Sequence, residues 1–204
     1  MRSLSRLGLV LGITLAASTM LHATTISFYN LTPQEQITTQ YASQGVTFQT
    51  EVPSGPPAIS NGYTACTPDD SVCGFALTNT PTGAYPTAED LDILFPNGAS
   101  GVSFTFTNWG DNGTTYYTAS SGATVVDTGA LYNDPYADYF GTVTLTGSDI
   151  TEIQISNGTG GESNWEFGVG ELNYSTSIPE PGTLTLVSCG LLGLCGLLRR
   201  RRNT

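Results

Sequence analysis

Hydrophobic and polar residues alternate along several short segments of this chain. Val102, Phe104 and Phe106 are separated by hydroxyl side chains, so an extended segment here would have one apolar and one polar face. This pattern is typical of a half-buried β-strand, and it recurs at 142–146 and 152–156. Seven other segments are predicted as strands: 25–29, 45–49, 75–78, 92–95, 114–118, 124–127 and 165–174.

Turn sequences rich in Gly, Asn, Asp and Ser separate these segments. They are Asn61-Gly62, Asn97-Gly98, Asp111-Asn112-Gly113, Ser121-Gly122, Gly147-Ser148 and Asn157-Gly158. Short strands at this spacing predict an all-β fold, a single jelly-roll-like antiparallel β-sandwich. The stretch 55–89 contains several prolines and is expected to be a surface excursion from the sandwich.

The first 23 residues have the features of a signal peptide. Arg2 and Arg6 give a basic start, the segment 7–17 is apolar and uncharged, and Ala23 suits a signal-peptidase site. The apolar segment is shorter than the roughly 20 residues that cross a membrane comfortably. We therefore predict cleavage after Ala23, with the Sec translocon and signal peptidase as partners. An uncleaved N-terminal anchor is the alternative.

The C-terminal end carries a short motif, an apolar run at 183–198 and a basic cluster. The motif is Pro179-Glu180-Pro181, and the cluster is Arg199, Arg200, Arg201 and Arg202. As a helix the run would be about 24 Å long, somewhat short of the hydrocarbon core, so the arginines would snorkel to the interface. The positive-inside rule puts the arginines in the cytoplasm. We predict one transmembrane helix at 183–198, a tail of 178–204, and a single body domain, 24–177, outside the inner membrane.

This order of motif, apolar run and arginine cluster resembles the PEP-CTERM sorting signal, a tail also known as the ice-binding protein C-terminal domain. The resemblance implies an exosortase, a membrane transpeptidase-like enzyme that cuts near the Pro-Glu-Pro motif. It implies export in a Gram-negative bacterium that makes extracellular polysaccharide. The body would be anchored transiently at the inner membrane, facing the periplasm, and would end at the cell surface or outside the cell. An ordinary single-span anchor is the alternative.

A second resemblance concerns the body itself. Segments 40–48 and 165–174 are similar to parts of a jelly-roll domain that is common in PEP-CTERM proteins. In that domain the last strand usually contains an acidic pair, whereas this chain has Gly170-Glu171 at the corresponding position. Any metal role that depends on the pair is therefore not expected here.

The distribution of charge limits the partners of the body. All six Lys and Arg residues and the only histidine lie outside 24–177, and of the 17 Asp and Glu residues only Glu180 lies outside it. The body therefore carries carboxylates and no basic side chain. It cannot neutralise phosphate, so nucleic acid and anionic lipid are excluded as its partners.

The same composition removes most catalytic mechanisms. Without His, Lys or Arg, the body has no Ser-His-Asp or Cys-His triad, no Schiff-base lysine and no phosphate-binding loop. Chemistry by two carboxylates, as in glycoside hydrolysis, remains open. No motif singles out a pair, so no catalytic residue is predicted.

Two cysteines of the body suggest a disulfide bond. Cys66 and Cys73 flank a short Pro-Asp-Asp segment and would be in an oxidising compartment after export. We predict a disulfide between them, since structural zinc requires more ligands than the body offers. Cys189 and Cys195 belong to the apolar run of the tail and are expected to be small, lipid-compatible residues, with lipidation as the alternative.

Acidic and aromatic residues in the turns suggest ligands. Asp69, Asp70, Asp134 and Asp138 are candidate ligands of a structural Ca²⁺, which prefers carboxylate and carbonyl oxygens, although carboxylates also simply keep an exported protein soluble. The candidate glycan-binding residues are Trp109, Tyr132, Tyr136 and Tyr139, whose flat rings can stack on sugars or can instead be core packing.

Three functions remain open on the sequence. The first is a non-catalytic surface or matrix protein that associates with extracellular polysaccharide. The second is a polysaccharide-active enzyme that uses paired carboxylates, and the third is a purely structural surface protein.

Overall fold

The computed structural model describes residues 20–50, 55–66, 73–79, 90–109, 115–131, 139–157 and 166–178. Apart from Met20, these residues belong to one compact unit, Leu21–Ile178. The strands in this part of the chain are β1 Met20–Ser27, β2 Thr47–Thr50, β3 Ala58–Cys66, β4 Cys73–Thr78, β5 Leu91–Trp109, β6 Thr115–Ser121, β7 Thr124–Leu131, β8 Tyr139–Thr144, β9 Ile150–Asn157 and β10 Glu166–Ile178. The described residues contain one helical element, a single 3₁₀ turn at Ala42–Gln44.

The strands form an antiparallel β-sandwich, which confirms the predicted all-β fold. The first sheet has the order β2-β5-β9-β6-β7, and the second has the order β3-β4-β10-β5-β8 with β1 also paired to β10. The strand β5 belongs to both sheets. Its residues 91–94 lie between β2 and β9, whereas residues 103–108 lie between β10 and β8.

A bend inside β5 moves this strand from the first sheet to the second. The pairing with β9 is irregular between Leu94 and Ala99, and Gly98 has φ 72°, a backbone conformation that favours glycine. The sequence predicted Asn97-Gly98 as a turn between separate strands. That prediction was wrong, because the chain bends here without ending its ladder.

The core lies between the two sheets. Ile93 and Ile153 of the first sheet are buried, as are Val102, Phe104 and Phe106 of the second, so the alternation read from the sequence is confirmed. Tyr117 of β6 meets Phe104 edge to face at 6.2 Å between ring centroids, which joins the two layers.

The stretch 55–89 was expected to be a surface excursion. Instead, β3 and β4 occupy much of it and pair with each other as a hairpin at the edge of the second sheet. The register puts the backbone of Cys66 opposite that of Cys73. The side chains of both cysteines lie outside the described part, so the disulfide bond stays a prediction.

The two chain ends lie almost entirely outside the described residues. This applies to the predicted signal peptide up to residue 19, the motif Pro179-Glu180-Pro181, the apolar run 183–198 and the cluster from Arg199 to Arg202. Among the described residues, no helix has the length and apolar character needed to span a membrane.

The strand β1 begins before the predicted cleavage site. It starts at Met20, so a cut after Ala23 would fall within it. Thr25 donates a hydrogen bond from Oγ1 to Oδ1 of Asn173 at 2.5 Å, and the Asn173 side chain donates to Oε1 of Glu171 at 2.9 Å. Glu171 therefore helps to fasten β1 to β10 through Asn173.

Alkaline unfolding is expected to depend on Tyr174. Burial raises the pKa of this phenol to about 12, and its hydroxyl donates to the main-chain oxygen of Gln44 at 3.1 Å. The unfolded chain titrates near the ordinary pKa of 10, so the stabilisation is complete below pH 10 and is lost as pH rises from 10 to 12. We expect Tyr174→Phe to lower the free energy of unfolding by about 1 kcal/mol at pH 8. Between pH 10 and 12, the urea midpoint of the Tyr174→Phe variant should fall less steeply with pH than that of the wild type. Parallel plots of midpoint against pH would contradict the prediction.

Candidate functional site

One face of the first sheet carries mostly polar side chains. On its inner face Phe48, Ile93 and Ile153 are buried in the core. The residues next to them in sequence point the other way, because side chains alternate along a strand. The outward-pointing residues, which we call the polar face, are Gln49, Asp92, Tyr116, Thr118, Thr128, Glu152, Gln154 and Ser156.

A continuous polar row crosses all five strands of this sheet. The backbone register aligns Gln49 with Asp92, Asp92 with Gln154, Gln154 with Thr118, and Thr118 with Thr128. Neighbouring strands lie about 4.8 Å apart, so the row is roughly 19 Å long. It therefore runs perpendicular to the strands and matches the length of several sugar units laid across the sheet.

Asp92 organises the amide groups of this row. Gln49 donates from Nε2 to one carboxylate oxygen at 3.2 Å, and Gln154 donates from Nε2 to the other at 3.4 Å. Asp92 itself is only 3% exposed. The two glutamines and the carboxylate are thus held together, while Gln49 is exposed and Gln154 is half-buried at the surface. Such fixed amides can donate to and accept from hydroxyl groups without a change in charge.

A tyrosine lies beside this row. Tyr116 is two residues from Thr118 on β6, pairs with Ser156 and Ala130 on either side, and is 45% exposed. Its cross-strand neighbours are small, so the ring is not covered by a large side chain from either position. An exposed ring next to fixed amides is the combination that binds a sugar, because the ring packs on the C–H face while the amides meet the hydroxyls.

The structure brings two of the predicted glycan-binding positions to neighbouring strand ends. Trp109 is the last residue of β5 and pairs with Glu166 of β10. Tyr139 is the first residue of β8 and pairs with Asn108. The side chains of Trp109 and Tyr139 lie outside the described part, as do Tyr132 and Tyr136 entirely, so their contacts stay predictions.

A short segment of chain connects the end of β5 to the start of β6, next to Tyr116. Tyr116 follows Thr115, the first residue of β6. The six residue steps from Trp109 to Thr115 span at most about 22 Å. Chain length thus limits the main-chain distance between Trp109 in the second sheet and Thr115, the neighbour of Tyr116, in the first sheet.

The predicted calcium ligands are not tested by this geometry. Asp69, Asp70, Asp134 and Asp138 lie outside the described residues. Within the described ranges, no group of three or more His, Cys, Asp or Glu side chains is arranged to hold a metal ion. A carboxylate that the sequence did not single out, Asp127, has a structural contact instead: its Oδ2 accepts from the main-chain N–H of Thr146 at 2.6 Å and from the Thr146 hydroxyl at 3.0 Å.

The polar face was not found from the sequence. Gln49, Asp92 and Gln154 belong to three different strands, and 43 and 62 residues separate Asp92 from the two glutamines that contact it. The only available signal was the alternation on each strand, which gives the outward positions but not the order of the strands.

No protein-family model matches this chain, and no curated protein matches it. Several solved structures are similar in fold. The family 32 carbohydrate-binding module of NanJ from C. perfringens, solved with galactose, has 18% identity and a TM-score of 0.37 over 76% of this chain and 99% of the module. The K1 cleaved adhesin domain of Lys-gingipain from Porphyromonas gingivalis W83 has 11% identity and a TM-score of 0.39 over 75% of this chain and 97% of that domain.

A third similar structure is the carbohydrate-binding module CBM6cm-2 of lichenase 5A from Cellvibrio mixtus, solved with cellotriose. It has 11% identity and a TM-score of 0.33 over 76% of this chain and 98% of the module. Similarity at this level assigns neither a ligand nor an activity to this chain.

Proposed function

We propose that this chain is an exported, non-catalytic surface protein that binds extracellular polysaccharide through the polar face and Tyr116. The observation that carries the proposal is the row of amide, carboxylate and hydroxyl groups across five strands, with an exposed tyrosine beside it. These groups match the hydrogen-bonding hydroxyls and the apolar C–H faces of sugars.

The negative charge of the body favours uncharged polysaccharides over anionic ones as ligands. Carboxylates on and around the polar face include Asp90, Asp92 and Glu152, and 24–177 has no Lys, Arg or His to pair with uronate or sulfate groups. Like charges at short range repel, so anionic polymers are disfavoured. Binding through neutral hydrogen bonds and ring packing also depends little on salt, because no ion pair needs to form.

Binding is tested by affinity electrophoresis of the body, 24–177, through gels that contain a neutral β-glucan or galactan, or anionic alginate. We expect retardation in at least one neutral gel, unchanged at 0.5 M NaCl, and none in alginate. Retardation in alginate alone would contradict the proposal. Free migration in every gel, including one cast with the polysaccharide of the native host, would favour a purely structural role.

Export and sorting complete the proposal. They rest on the sequence of the two ends, with a signal peptide up to Ala23 and the motif Pro179-Glu180-Pro181 followed by an apolar run and the arginine cluster. An exosortase would remove the tail, after which the body would lie at the cell surface or in the medium.

Intact-mass analysis of the protein from native surface and medium fractions checks the processing. We expect a chain that starts at Thr24, ends within 178–181, and has lost two hydrogens at Cys66 and Cys73. Identification requires a protease other than trypsin, because no Lys or Arg lies between Thr24 and Arg199. A mass that includes the tail through Thr204 would indicate an ordinary membrane anchor. A mass that retains both thiol hydrogens would show that Cys66 and Cys73 form no disulfide.

One arrangement on the polar face favours the enzymatic alternative. Asp92 pairs with Gln154, so Glu152 is its diagonal neighbour on the adjacent strand, a relation that puts two Cβ atoms about 7 Å apart. Glycoside hydrolysis uses two carboxyl groups roughly 5 to 9 Å apart, a separation that side chains on two such positions can reach. If this alternative holds, the polysaccharide that is bound will also be shortened, and Glu152→Gln will abolish the shortening but not the binding.

A further inference from the structure

The strand β1 covers one edge of the last strand of the sandwich. Phe28, just after β1, donates its main-chain N–H to the oxygen of Gly170 at 2.9 Å, and the Thr25 hydroxyl reaches Asn173. Thr25 lies three residues before Phe28, whereas its partner Asn173 lies three residues after Gly170. The two strands therefore run antiparallel. Both strands run on beyond these contacts, β1 back to Met20 and β10 forward to Ile178, so the same register, if continued, would set residues 20–23 beside residues 175–178.

The predicted signal-peptide cleavage would uncover this part of β10. A cut after Ala23 removes residues 20–23 from the strand and leaves only 24–27 in place. On its other side, β10 pairs with β5 through Ser175 and Thr176. The strand β4 reaches β10 only at Gly168 and Val169. After cleavage, no strand among the described residues would lie beside the edge of residues 175–178 that had faced β1. An uncovered edge of this kind pairs readily with another extended chain.

This edge leads directly into the predicted sorting motif. Ile178 is the last residue of β10, and Pro179 follows it without a linker. A proline disfavours helical conformation in the residue before it, so Ile178 and Glu180 are both biased toward extended backbone. The sequence therefore favours an extended backbone from the end of β10 into the motif, a form that an enzyme can bind by main-chain hydrogen bonds along the open edge.

We propose that signal-peptide cleavage exposes the edge of residues 175–178, and that the enzyme that removes the tail binds this edge as an added strand. N-terminal cleavage must then precede C-terminal processing. The second cut breaks one peptide bond near the motif: the acyl group passes to water or to a surface hydroxyl or amine, and the tail leaves with a new amino terminus. This inference rests on the proposed export and sorting.

The test restores the covering strand without keeping the signal peptide. A signal peptide with a known cleavage site is joined directly before Met20, and Ala23→Val blocks the original site, so the exported chain begins at Met20. In the matched control, residues 20–22 of the same chain are replaced by Pro-Gly-Pro, which has the same length but cannot form the ladder because proline lacks the N–H donor. N-terminal masses confirm where each chain starts.

Pulse-chase analysis in the native host then follows loss of the tail. We expect the chain that begins with Met20 to be processed roughly tenfold more slowly than the wild type, the effect of one or two main-chain hydrogen bonds that must first break. The Pro-Gly-Pro control should be processed at the wild-type rate. Equal rates for all three chains, or equal slowing of both extended chains, would overturn the inference. Retention of the tail by the wild type would instead overturn the proposed sorting.

Discussion

Gly74→Ala should lower the free energy of unfolding by roughly 3 kcal/mol or more, a large part of the stability of a typical domain. A Cβ at this position would lie 1.9 Å from the main-chain oxygen of Tyr29 and 2.6 Å from its carbonyl carbon. Main-chain atoms cannot rotate away. Tyr29 is also held at its other end, where its hydroxyl and that of Thr105 form a hydrogen bond of 3.0 Å. Urea unfolding of the body, followed by tryptophan fluorescence, measures the change.

Gly129→Ala is the matched control for this substitution. It makes the same chemical change in a strand, but its Cβ would meet the ring of Tyr117 at 2.7 Å, and a side-chain ring can shift. We expect a loss of about 1 kcal/mol for the control. If the two variants unfold at the same urea concentration, the close contact between Tyr29 and β4 does not explain the requirement for glycine at position 74.

Tyr116→Ala should weaken binding of neutral polysaccharide about tenfold or more, the loss expected when one aromatic ring no longer packs on a sugar. The ring is 45% exposed, so its removal should leave the unfolding midpoint nearly unchanged. Isothermal titration with the polysaccharide that retards the wild type gives the dissociation constant.

Val125→Ala serves as the control for Tyr116→Ala. Val125 is the other large apolar side chain that is exposed among the described residues, at 56%, and it lies toward the opposite end of the β6–β7 pair. We expect the Val125→Ala variant to bind the polysaccharide with the same dissociation constant as the wild type. Equal weakening of binding in both variants would indicate a non-specific apolar contact. Unchanged binding by the Tyr116→Ala variant would show that the Tyr116 ring is not part of the binding site.

Most of the strands could be predicted from the sequence, because alternation is a local property. Val102, Phe104 and Phe106 are buried as expected, and β10 contains nearly all of the predicted segment 165–174. The order of the strands could not be predicted, because pairing depends on contacts between distant parts of the chain. Asn97-Gly98 shows a related limit: the same two residues make a turn or a bend within a strand, and the tertiary packing selects between them.

The candidate site was predictable only in part for the same reason. Aromatic residues in turns could be identified from the sequence, but that the strand ends of Trp109 and Tyr139 are neighbours is seen only in the register, because 30 residues separate them in the chain. The pairing of Asp92 with Gln49 and Gln154 needs three strands to be placed side by side. No single segment carries a motif for it.

The shared strand β5 determines how the sandwich comes apart. It spans 19 residues, and its two ends are built into different sheets, so neither sheet can lose β5 without breaking the ladder of the other. Amide protons of Ile93 and Phe104 should therefore exchange with solvent at the same high free energy of opening, through one global event. Unfolding should accordingly be a single cooperative transition, and no partially unfolded state with one intact sheet should accumulate.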